Sequence, residues 1–187
     1  MAISERRFEL RERTQAAHQR LDSIVGGFDT IDQYRRYLVG LTRFRAAMDE
    51  ALRHVAWPVC WEWRPTAVSD VLERDNVDLG LSAIDIRNAH FGMRLANQSA
   101  LLGALYVIEG STLGARILQK RAAALGFDEF LGARHLAVMS KDIAHWQSFL
   151  LLLDEAQNFD VERAAASANA VFAFALQCFE SEIVVAQ

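Results

Sequence analysis

The chain has 187 residues, 52% of them apolar, enough to bury a core within one domain. Its net charge of −4 and pI near 5.7 argue against a nucleic-acid binder, whose electrostatic footprint is basic. Only two prolines and ten glycines interrupt it, which favours long helices over low-complexity disorder.

Residues 1–13 are charged and lack the apolar stretch of a signal peptide. No apolar run approaches the ~18 residues of a membrane span. Cys60 and Cys178 form neither a disulfide framework nor a zinc set and read as reduced core thiols. A cytoplasmic protein with no membrane span is expected.

Taken in order, the first helix is predicted from Ser4 to about Val25. There Phe8, Leu10, Ala17, Leu21 and Ile24 recur near a 3.6 period, and Gly26-Gly27 ends the run. Asp29-Thr30 offers an N-cap for a second helix from Ile31 to about Ala56, whose apolar stripe runs from Tyr34 to Val55. Pro58 closes it. Trp57, Trp61 and Trp63 mark an ordered, partly buried turn, and Thr66 to Arg74 reads as a short helix. Residues 75–97 carry no clear period and are expected to pack some short structure of their own. A long helix follows from Gln98 to Leu125, closed by Gly126, then a short segment from Asp128 to Val138. Ser140 is read as the cap of a helix to about Gln157, and Asp160 starts the last one. With no strand-like alternation, the fold class is all-α in a single domain.

The glycine-bearing helix is anomalous. Gly110 and Gly114 lie four residues apart, hence on one face, with Ser111 beside them. Each interior glycine costs about 1 kcal/mol relative to alanine. The bald strip they leave admits either a closely packed helix or a flat ligand against the backbone. Of the five histidines, no two share a helix at metal-ligand spacing. His18 sits mid-helix beside the apolar side, where it is either a surface residue or a single imidazole for haem iron. Arg11, seven residues earlier, is a solvated charge or a partner for a carboxylate.

Two segments together resemble the haem oxygenase family. Leu10-Arg11-Glu12-Arg13-Thr14-Gln15-Ala16-Ala17-His18 is similar to its proximal helix, with a threonine four residues and a basic residue seven residues before the ligand histidine. Tyr106 to Gly114, YVIEGSTLG, is similar to the distal helix of bacterial members, including phytochrome-associated ones. Weaker likeness extends over 31–56 and over Val171 to Glu180. The resemblance implies one helical domain over residues 1–187, with haem between the first helix and a glycine-kinked distal helix. His18 would be the iron ligand, with Arg11 on a propionate and Thr14 part of the proximal motif. Gly110 and Gly114 would let the distal backbone approach the haem, with Ser111 near the oxygen. Tyr106 and Phe172 would line the pocket or serve as plain core.

The implied reaction is oxidative cleavage of haem, both cofactor and substrate, to biliverdin, carbon monoxide and ferrous iron with dioxygen. Electrons would come from a ferredoxin or reductase, docking where Arg116, Lys120 and Arg121 form a basic patch. A phytochrome or other bilin acceptor is an implied recipient. The sequence departs from the animal-type pattern at Ser111, where those members carry an aspartate. That departure keeps open a non-catalytic haem carrier or sensor. A thiaminase-like hydrolase using a cysteine and a helical interaction module are the other readings. Lys141, Lys120 and Arg116 are candidates for the second propionate.

Overall fold

The computed structural model describes residues 4–81, 84–87 and 89–184, with side chains through 180. Among the described residues eight helices follow one another: α1 (Glu5–Val25), α2 (Ile31–Arg53), α3 (Ser69–Asp78), α4 (Gln98–Gly110), α5 (Thr112–Ala124), α6 (Arg134–Lys141), α7 (Ile143–Glu155) and α8 (Val161–Val184). Among the described residues the only β pairing is an isolated bridge between Asp128 and Gly132.

Local chemistry starts most of these helices. Ser4 accepts from the Arg7 amide at the head of α1. Thr30 and Gln33 form a reciprocal capping box on α2. Asn97 accepts from the Ala100 amide on α4, and Asp160 from the Arg163 amide on α8. Gly26 stops α1 at φ +54°, a conformation that side chains resist.

Three boundaries differ from the sequence expectation. Ser140 does not cap a helix: α6 runs through it, and Asp142 caps α7 by accepting from the amides of Ala144 and His145. The third helix begins at Ser69 rather than Thr66, because the Thr66 amide and hydroxyl are drawn to Glu109. The glycine helix is interrupted at one residue, Ser111. Beyond α3, the described part of 75–97 is irregular. Nor is Cys60 a core thiol; it is exposed, whereas Cys178 is buried.

The architecture is organised around α8, which packs against α1, α2 and α4. Its alanine-rich first half permits close approach. A Cβ on Gly103 of α4 would collide with the backbone carbonyl of Ala164. Gly103→Ala is therefore expected to force the two helices apart at a cost of about 1–3 kcal/mol. The thermal midpoint should fall by roughly 2–12 °C; an unchanged midpoint would contradict this packing.

Both α1 and α4 run parallel to α8. Along α4, Ser99 accepts from the Asp160 amide at 2.9 Å and Gly103 faces Ala164. Along α1, Asn169 donates to the Arg13 carbonyl at 3.1 Å, His18 meets Phe172, and Arg20 pairs with Glu180. Both sequences therefore ascend the same axis together.

Against the expectation of no apolar run of spanning length, Gln98–Ala124 is long and apolar enough to cross a membrane, with mean hydropathy 1.3. In this fold 56% of that window is buried in protein, and the helix breaks within it at Ser111.

Candidate functional site

Only Leu10 and Thr14 are buried on α1, although it is 21 residues long. Its first turn is tied down firmly. Arg6 donates to the carbonyls of Leu153, Asp154 and Ala156 at the end of α7, and Arg7 pairs with Asp154 at 2.5 Å. A helix so anchored leaves most of the side chains along its flank open to solvent.

His18 lies on that flank, 58% exposed. Its ring stands edge-on to Phe172 at 5.7 Å. Its Nδ1 is 3.1 Å from a carboxylate oxygen of Asp22, one turn on. A proton on Nδ1 satisfies that carboxylate, leaving the Nε2 lone pair for a metal. Sequence reading overlooked Asp22, although its i,i+4 spacing from His18 was a visible signal.

One turn before His18, Thr14 is buried and donates to the Leu10 carbonyl at 2.8 Å. Tyr106 of α4 pairs with Thr14 and feels the charge of exposed Arg11. Burial pushes the Tyr106 phenol up, with the Thr14 hydrogen bond and the Arg11 charge opposing. The structure thus brings Arg11, Thr14 and Tyr106 together. Four residues beyond Thr14 on α1 is His18, and four beyond Tyr106 on α4 is Gly110. Because the helices are parallel, His18 and Gly110 reach the same level of the bundle.

The glycine strip is open at Gly114 and faces Trp146 at Gly110. A Cβ on Gly114 would meet nothing within 4 Å, and one on Gly110 only the Trp146 ring, at 3.7 Å. Gly103, not the strip, takes the close helix packing. Ser111 is exposed, and its hydroxyl donates to the Ile108 carbonyl at 2.7 Å. Its proton is thus committed to its own helix, while its lone pairs stay available. Leu113 and Ile117 beside it are 48% and 61% exposed, an apolar surface next to bare backbone. A flat, largely apolar group fits such a face better than solvent does.

Among the described residues, no group of three or more His, Cys, Asp or Glu converges on a metal position. A single imidazole suits iron whose equatorial donors come from a porphyrin. The clefts of about 600 and 550 Å³ are not lined by any of the predicted site residues. Cys178 offers no nucleophile: burial pushes its thiol up to about 11, with Arg43 opposing. The basic patch is partly spent on structure, since Arg121 packs over Gly27 and Arg116 donates to the Ser140 carbonyl at 3.4 Å.

No family model matches the chain. It is 35% identical over 163 residues to heme oxygenase PigA of Pseudomonas aeruginosa, covering 82% of this chain and 80% of that protein. Its fold is similar to the crystal structure of the NO- and CO-bound heme oxygenase from Neisseria meningitidis. That likeness has a TM-score of 0.66 and 23% identity, and covers 94% of this chain and 90% of the other.

Proposed function

The chain belongs to the haem oxygenase family, and we propose that it cleaves haem oxidatively to biliverdin, carbon monoxide and ferrous iron, with the haem held between α1 and the α4–α5 break. The observation that carries the site is the level match of His18, exposed and anchored by Asp22, with Gly110 on a parallel helix.

In this reading haem and dioxygen supply the oxidative chemistry, and the chain's residues position them. His18 Nε2 ligates the iron, with Asp22 fixing ring orientation and basicity. Arg11 faces a propionate, and Tyr106 and Phe172 bound the pocket. Gly110 and Gly114 let the backbone come close, so one edge of the macrocycle is favoured. Ser111 accepts, but does not donate, a hydrogen bond toward the open side.

Electrons come from an external donor of the ferredoxin or reductase class, with exposed Lys120 the remaining cation of the patch. The bilin passes to an acceptor, with a phytochrome one such recipient.

The test is reconstitution with haemin followed by ascorbate, or by ferredoxin with its reductase. Decay of the Soret band with biliverdin appearing is expected. Bound haem that persists unchanged under reductant and dioxygen would favour the carrier or sensor reading, which Ser111 motivates.

A further inference from the structure

Glu109 immediately precedes Gly110, yet its side chain is turned into the protein and is 1% exposed. A buried carboxylate is costly unless its oxygens are satisfied. Here one oxygen accepts from the Thr66 amide at 2.9 Å and the other from the Thr66 hydroxyl at 2.8 Å. The Thr66 carbonyl in turn accepts from Arg45 of α2 at 2.6 Å. Arg45 is itself 3% exposed. Burial pulls its guanidinium down, with the charges of Asp49 and Glu109 opposing. From α7, His145 stands 3.9 Å from Glu109 and stacks on Trp63 at 4.9 Å. The adjacent Trp146 covers Gly110. On the other side of the break, the Thr112 hydroxyl donates to the Glu109 carbonyl at 2.7 Å.

The last turn of α4 is therefore held from behind by α2, the tryptophan turn and α7 at once. At the start of α5, a Cβ on Gly114 would meet no atom of the described residues within 4 Å. We propose that Glu109 is a positioning residue: with Thr66 and Arg45 it forms a buried latch that sets how closely the Gly110–Ser111 break approaches the haem plane. It touches neither haem nor oxygen. It fixes the backbone that does, and so bears on which edge of the macrocycle reacts. The inference rests on haem lying against Gly110.

The experiment compares wild type with Glu109→Gln, Thr66→Val and Thr66→Ser, each loaded with haem. Glutamine puts a donor where Thr66 already donates twice, valine removes one bond alone, and serine keeps both. Haem affinity is expected to stay near wild type in all three variants. Carbon monoxide added to the ferrous protein is the probe of the distal side. Its C–O stretch should shift in Glu109→Gln and Thr66→Val and return in Thr66→Ser. The biliverdin isomer ratio should change with it, and kcat should fall by about 10–100-fold, as small misplacements commonly cost.

If Glu109→Gln and Thr66→Val only melt earlier, keeping the wild-type C–O stretch and isomer ratio, the latch is structural and the proposal fails. A wild type that binds no haem would overturn the site reading itself, an outcome distinct from the first.

Discussion

Replacing His18 with alanine is expected to abolish imidazole ligation of haem iron while leaving the protein folded. The side chain is 58% exposed, and its contacts are an edge-on Phe172 and the exposed Asp22 carboxylate. Removing it opens no core cavity, so stability should move within about 0.5 kcal/mol, as exposed substitutions do. The loss of function should be large. Removing an outer-shell partner of a metal ligand typically costs about 10–100-fold in affinity or activity, and removing the ligand itself should cost more. Haem titrated into the variant should lack the histidine-ligated spectrum, and biliverdin formation should drop to background. Imidazole supplied in solution should restore part of the spectrum by entering the vacated position. Unchanged ligation in a folded variant would move the assignment to another exposed histidine. The other exposed histidines are His54, whose Nε2 lies 2.8 Å from a Glu50 carboxylate oxygen, and His90.

The legible parts of this molecule are those where the cause is local in sequence. The Thr30–Gln33 capping box, the Gly26 stop and the Asp160 start all lie within a turn of the boundaries they set. The all-helical class followed from the 3.6 period. The expectation for His18 and the glycine strip rests on two short segments that carry both. What escaped depends on partners far along the chain. Thr66 looks like a helix start until Glu109, 43 residues away, claims both its donors. Asp142 separates two apolar periods with neither glycine nor proline to mark it. The expected short helix ends at Arg74, yet Asp75 and Asn76 are buried inside α3. Asn76 is held there by Thr42, and Asp75 by α6. The strip at Gly110–Gly114 shows the same limit. Spacing alone allowed a packed helix or a ligand, and the open space at Gly114 shows that no helix packs on the strip there.

Asp75→Ala is expected to be the most destabilising single change outside the site. Its side chain and that of His135 are both 0% exposed. One carboxylate oxygen takes the His135 Nδ1 at 2.8 Å and the His135 amide at 2.9 Å. The other takes the Arg134 amide at 3.1 Å and its guanidinium at 3.0 Å. Alanine strands the His135 Nδ1 and the amides of Arg134 and His135, and leaves the joint between α3 and α6 to the Arg134–Asp78 ion pair. Losing one partner of a buried pair costs about 3–5 kcal/mol, or roughly 6–20 °C in thermal midpoint.

The pH dependence identifies the cause. Burial pushes the Asp75 carboxyl up, but the hydrogen bonds from His135 and Arg134 outweigh it and hold it below the usual carboxylate range. Burial holds the His135 imidazole down, against the pull of Asp75. Its Nε2 finds no partner among the described residues and faces the core, so a second ring proton is unwelcome there. Stability rises with pH wherever the unfolded chain binds more protons. Both groups have folded values below their unfolded ones, so each contributes above its unfolded value and loses that contribution as pH falls. The His135 part should begin to erode below about pH 6.5 and the Asp75 part below about pH 4. The gap in stability between wild type and Asp75→Ala should therefore be wide near pH 7.5 and narrow as acid protonates Asp75 in the wild type. Urea melts across that range measure it. A small gap at neutral pH, or one that does not narrow in acid, would show that the carboxylate is not what joins α3 to α6.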